Sequence, residues 1–201
     1  MIKNIVFDLG NVLVDFDPAR FVREKTSDKS QQKLLMTEIF GSVDWLRFDK
    51  GTITKEEFLQ TVAARLPKEL HDMAEELLST WYEGLHSLPQ MAELPQQLKD
   101  NGLDIYLLSN APQDYYLFEE KVPSYHAFDG FFISSDWKLA KPDHQIFQAF
   151  YSHFRLNPAE CYFIDDTAAN ILAAEETGMK GFHFRKNYTD LKQELLSLGI
   201  L

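Results

Sequence analysis

Asp8 follows the apolar run Ile5-Val6-Phe7, Ser109-Asn110 follow Ile105 to Leu108, and Asp165-Asp166 follow Cys161 to Ile164. Lys141-Pro142 stands ahead of a helical pattern. Singly, each has an ordinary structural use. Aspartate is a favoured cap residue, Ser-Asn is turn chemistry, proline opens helices, and two acids suit a helix's first turn. Gathered at one place they do more. Three carboxylates beside one lysine repel one another unless a cation intervenes. Donors that are all oxygen, with no His or Cys, suit Mg²⁺ retaining several waters. A carboxylate can also attack phosphorus to give an aspartyl-phosphate. The Lys141 charge and the Ser109 hydroxyl then serve the phosphoryl oxygens. The chemistry this set fits is phosphoryl transfer from a small phosphate ester.

The elements that must gather them are legible as patterns. Ile5–Phe7, Ile105–Leu108, Phe131–Ile133 and Cys161–Ile164 are short aromatic or branched runs bounded by turn formers, which predicts buried strands. Gly181–Phe184 is a fifth candidate. Helical spacing lies between the later runs: Met91-Leu94-Leu98 stopping at Asn101-Gly102, a helix after Pro142 through Tyr151, Ala168 to Thr177, and a last one around Leu191 to Leu196. Strand alternating with helix predicts an α/β fold, a Rossmann-like parallel sheet with helices on both faces. All strand ends then share one edge, where such sheets bind ligands.

One stretch breaks the alternation. From about Asp15 to Leu88 only helical segments are found, at 19–25, 32–40, 55–66 and 73–85, the third opened by a Thr54–Glu57 capping box. The expectation is a small all-helical cap domain, residues 16–88, inserted after strand 1 into a core of residues 1–15 and 89–201. Phe48-Asp49-Lys50-Gly51 is expected as a cap loop before a helix, a candidate to face a substrate. Trp45, Phe48 and Trp81 are expected to be cap core.

The chain resembles the haloacid dehalogenase (HAD) superfamily, in the subgroup with a helical cap after the first strand. The likeness rests on Phe7-Asp8-Leu9-Gly10-Asn11-Val12-Leu13, Leu107-Leu108-Ser109-Asn110, Lys141-Pro142 and Phe163-Ile164-Asp165-Asp166-Thr167-Ala168-Ala169-Asn170, in that order. The finer likeness is to sugar-phosphate phosphatases, α-D-glucose-1-phosphate phosphatase among them, and to the phosphatase domain of epoxide hydrolase. The resemblance implies that Asp8 is the nucleophile and also a metal ligand. It implies that Ser109, the Asn110 backbone and Lys141 hold the phosphoryl group. Asp166, with Asp165 before it and the carbonyl of Gly10, would hold Mg²⁺.

Two positions depart from the family pattern. Gly10 stands where an aspartate normally protonates the leaving oxygen, and Asn170 replaces the last acid of the fourth motif. Positioned acid–base catalysis contributes roughly 10²–10⁴-fold, so Gly10 points to a good leaving group, as in a sugar-1-phosphate. Asp15 and Asp17 would replace the acid only if the chain folds back; a solvated hinge is the expected role. Two other readings stand beside the phosphatase: a 2-haloacid dehalogenase-type hydrolase, against which Asp165-Asp166 argue, and a non-catalytic binding or regulatory protein on the same fold.

Composition limits the partners. The 201 residues are 45% hydrophobic and carry 20 basic against 31 acidic side chains, a net charge of −11. Such a field repels nucleic acid and anionic membranes. Cys161, the lone cysteine, excludes an intrachain disulfide. No stretch has the length of a membrane span, and the apolar run at Ile5–Phe7 is too short for a signal peptide. The expectation is a cytoplasmic hydrolase, monomer or homodimer, acting on a small phosphorylated molecule.

Overall fold

The computed structural model describes residues 1–201. Five strands form one parallel sheet: β1 (Asn4–Phe7), β4 (Asp104–Ser109), β5 (Gly130–Ile133), β6 (Cys161–Asp165) and β7 (Lys180–His183). Their spatial order is β5-β4-β1-β6-β7. The missing numbers belong to β2 (Val14–Asp15) and β3 (His86–Ser87), a two-residue antiparallel ribbon. The four apolar runs and the fifth candidate are thus all strands, within a residue or two of the expected bounds.

The apolar runs are continuous because both faces of the sheet are covered. Side chains alternate between faces. Ile5 and Phe7 enter one core with Ile105, Leu107 and Ile164, while Val6 enters the other with Leu108, Phe132 and Phe163. The second core is closed by α8 (His144–Phe154) and α9 (Ala168–Glu176). The first is closed by α6 (Leu94–Asp100) and α10 (Tyr188–Ser197), and runs on into the helical insert.

Between β2 and β3 every regular element is helical: α1 (Pro18–Lys25), α2 (Lys29–Leu35), α3 (Val43–Asp49), α4 (Lys55–Arg65) and α5 (His71–Thr80). The Thr54–Glu57 capping box is formed at the start of α4. The structure differs from the sequence reading in two respects. The expected 32–40 helix is α2 followed by a π turn, Met36–Phe40, closed at Gly41. Ser42 then caps α3, so Phe48 and Asp49 are the end of a helix rather than a loop. Seven residues, fewer than two turns' worth of repeat, are too few to register as a helix by pattern alone. Both limbs of the insert are tied at its base. Arg20 bonds Asp15 at 2.7 Å and donates to the Gly84 carbonyl at 2.8 Å, and Lys186 bonds Asp15 at 3.1 Å. Asp17 caps α1. Asp15 and Asp17 are thus engaged at the base of the insert, and neither lines the cavity over the strand ends.

Candidate active site

The chain runs outward from β1 through β4 to β5, then crosses back to β6 on the other flank of β1. That reversal is a topological switch point, and the crevice it opens lies at the carboxyl ends of the strands. Phe7 is in register with Leu107 on one side and Ile164 on the other. Asp8, Leu108 and Asp165 therefore come level, with Ser109 and Asp166 one residue further out.

Lys141 reaches this point from the loop before α8. Its ammonium lies 2.9 Å from Asp8 Oδ1 and 2.7 Å from Asp165 Oδ2, and donates to the Leu108 carbonyl at 2.9 Å. The Asn110 side chain fixes that loop: its amide donates to the Lys141 carbonyl at 2.9 Å, and its oxygen accepts from the Lys141 N–H at 2.8 Å. Ser109 is buried at the cavity wall. Burial alone would lower the Lys141 pKa; the charges of Asp165 and Asp8 outweigh it and raise it. Burial pushes the Asp8 carboxyl up to about 7, with Lys141 opposing and Asp165 adding to the rise.

The three acids bring carboxylate oxygens within 4.8 Å of one another, yet they are not equivalent. Asp165 accepts from the Thr167 N–H and Asn170 Nδ2 on Oδ1, and from Lys141 Nζ and Asn170 Nδ2 on Oδ2. A carboxylate offers about four lone-pair sites. The expectation that Asp165 shares a metal meets a group whose sites are already taken by protein donors. Asn170, read as a weakened acid, is the donor that saturates it. Asp166 is half-buried and more open, its carboxylate touched by the Thr167 hydroxyl at 3.3 Å. Burial and the Asp165 charge raise its pKa, against Lys141, Thr167 and Asn11. Asp8 and Asp166 are hard oxygen donors with capacity to spare. The site fits a small divalent cation such as Mg²⁺, whose bonds of about 2.0–2.1 Å would draw the two slightly together.

Over these groups the insert closes a cavity of about 80 Å³. Gly10, Ser109 and Asn110 form its floor, while Phe16, Trp45 and Trp81 wall it. Trp45 and Trp81 are buried in the insert's aromatic cluster, as expected, and also face the site. The sequence reading placed neither of them at the site, nor Asn11, whose buried amide oxygen has no partner. Its one visible signal is position, between Gly10 and the turn that leaves β1. The six histidines form no cluster with other donors.

The chain belongs to the haloacid dehalogenase-like hydrolases, a family that matches residues 2–178, and it is a hydrolase of the phosphatase kind. It is similar to the D-ribitol-5-phosphate phosphatase of Bacteroides thetaiotaomicron, 29% identical over 212 residues and 97% of each chain. It is also similar to the sesquiterpene phosphatase astK of Aspergillus oryzae, 26% identical over 90% of this chain and 89% of that one. A crystal structure of a HAD family enzyme from Bacteroides thetaiotaomicron, in complex with magnesium and inorganic phosphate, matches with a TM-score of 0.70. It is 27% identical, covering 90% of this chain and 93% of that one.

Proposed function

We propose that the protein hydrolyses a small phosphate monoester through an aspartyl-phosphate on Asp8, with Mg²⁺ held by Asp8, Asp166 and the Gly10 carbonyl. The observation that carries this is the Lys141 ammonium lodged between Asp8 and Asp165, with Asp166 open beside it. A buried lysine paired to two acids costs desolvation that a structural role would not require. When bound, Mg²⁺ supplies charge neutralisation to the phosphoryl oxygens and aligns them for in-line attack. Lys141 opposes the rise that burial imposes on the Asp8 pKa and turns one carboxylate oxygen towards phosphorus. The Ser109 hydroxyl and the Asn110 backbone bind phosphoryl oxygens. Asp165 is a positioning residue: it keeps Lys141 charged and in place.

A sugar or polyol phosphate is the proposed substrate, supported by the likeness to D-ribitol-5-phosphate phosphatase along the full chain. The aromatic walls favour a second candidate, the phosphate of a compact apolar alcohol. The cavity has room for only two or three waters' share of liquid, at about 30 Å³ each. The helical insert, residues 16–88, therefore acts as a cap that opens to admit substrate and closes to exclude water.

The test is phosphate release from sugar-1-phosphates, a polyol phosphate, a prenyl phosphate and an aryl phosphate, with and without Mg²⁺, for wild type and Asp8→Asn. Metal-dependent release that Asp8→Asn abolishes is the expected result. Equal release by the two proteins would sink the proposal.

A further inference from the structure

The core has no side chain where a leaving oxygen would need a proton. Gly10 stands two positions after Asp8, and a β-carbon built there would meet only the Phe16 β-carbon, at an ordinary 3.7 Å. Space for an acid exists there, and the core does not fill it. Across the same cavity from Gly10 and Ser109 stands Asp49, at the end of α3, the only ionisable side chain that lines it.

Its position is fixed by the core and not by the cap alone. The Ser134 hydroxyl donates to the Asp49 carbonyl, and the Lys138 ammonium donates to the Gly51 carbonyl. Gly51 adopts φ +66°, and a β-carbon there would lie 2.5 Å from the Ser135 carbonyl oxygen. The turn after α3 is thus seated on α7 (Ser134–Trp137), the short helix that follows β5, and on Lys138 at its end. Burial holds the Asp49 carboxyl well above the usual carboxylate range; the Trp45 side chain pulls it down, and the Asp8 charge pushes it up further. A carboxyl kept neutral beside an ionised nucleophile is what a general acid requires.

We propose, resting on the phosphatase reading above, that Asp49 is the general acid–base of the reaction, carried in by the cap and seated on the core in place of the side chain Gly10 lacks. In the first step an Asp8 oxygen forms a bond to phosphorus and the ester P–O bond breaks. The electron pair passes to the leaving oxygen, which takes the Asp49 proton and departs as the alcohol. In the second step Asp49, now a carboxylate, takes a proton from water as the water oxygen bonds phosphorus. The bond from phosphorus to Asp8 breaks, its electron pair returns to Asp8, and inorganic phosphate leaves. With Asp49 in this role, wild type does not depend on an intrinsically good leaving group; that dependence emerges when Asp49 is removed.

Wild type, Asp49→Asn, and Asp49→Asn with Gly10→Asp are compared on a polyol phosphate and an aryl phosphate, following alcohol and phosphate separately. Asp49→Asn is expected to lower kcat on the polyol phosphate by roughly 10²–10⁴-fold. On the aryl phosphate, alcohol appears as a burst equal to the enzyme, because the aspartyl-phosphate still forms but lacks the base that hydrolyses it. Gly10→Asp restores turnover in the Asp49→Asn background. An equal loss on both esters with no burst, or a rise in KM with kcat unchanged, overturns the proposal. Wild-type kcat in Asp49→Asn, in a preparation that Asp8→Asn inactivates, overturns it while leaving the phosphatase reading intact. Activity surviving Asp8→Asn would instead strike that reading.

Discussion

Lys141 decides the charge balance of the site. It is 5% exposed and faces two carboxylates at hydrogen-bond distance, so removing it would leave two buried anions uncompensated, a change that typically costs about 3–5 kcal/mol. Even with it in place, burial leaves Asp8 favouring the proton up to about pH 7. Only the ionised form attacks phosphorus, so kcat/KM falls as pH falls through that value. A divalent cation beside Asp8 competes with the proton and favours the charged form. The acid-limb midpoint of kcat/KM is therefore expected near 7 at limiting Mg²⁺, moving to lower pH as Mg²⁺ is raised. A midpoint that stays fixed over a hundredfold range of Mg²⁺ would show that proton and metal do not share Asp8.

The elements set which of these residues meet. Asp8 and Asp165 were readable as strand ends, because a buried parallel strand is a continuous apolar run and its end is marked by the first polar residues. The α3 helix was not readable in this way. It has seven residues, its neighbours are a π turn and a left-handed Gly51, and its hydrophobic face is made by packing on Phe16 and Phe58 rather than by length. Asp49 is consequently placed by the turn at Gly51. Gly51→Ala adds a β-carbon against backbone at a positive φ, a strain of order 1–3 kcal/mol. It is expected to unseat the turn and to reduce kcat/KM, which reports the step that expels the leaving oxygen, more on a polyol phosphate than on an aryl phosphate, although Asp49 is untouched. Stopped-time assays on the two esters check this; an equal effect on both would mean that the turn holds the cap in general and not the acid in particular.

The two parts of the molecule share one hydrophobic core, in which Trp81 and Tyr82 of the insert pack on Phe118, and polar contacts add to it: the ribbon β2–β3, the Asp15–Arg20–Lys186 cluster, the Gly51 turn, and the Lys55–Asp114 pair at 2.7 Å. A cation bound by Asp8 and Asp166 binds the folded state alone, so Mg²⁺ is expected to stabilise it by about 2.7 kcal/mol at a hundred times its Kd. Thermal denaturation would register this as a rise in Tm, reversed by EDTA and largely lost in Asp166→Asn; a rise that Asp166→Asn leaves intact would place the cation elsewhere, and an unchanged Tm at millimolar Mg²⁺ would show that the site does not bind it. The parallel sheet, the helical insert, and the set Asp8, Ser109, Lys141 and Asp165-Asp166 at the sheet's edge follow from residue order, because strand periodicity and turn chemistry are local and the edge follows from parallel topology. That Asp165 is saturated by Asn170, Thr167 and Lys141, and that Asp49 lines one cavity with Gly10, is visible in the folded chain alone. Both depend on distances between groups far apart along the chain, and those are set by packing, on which residue type and spacing are silent.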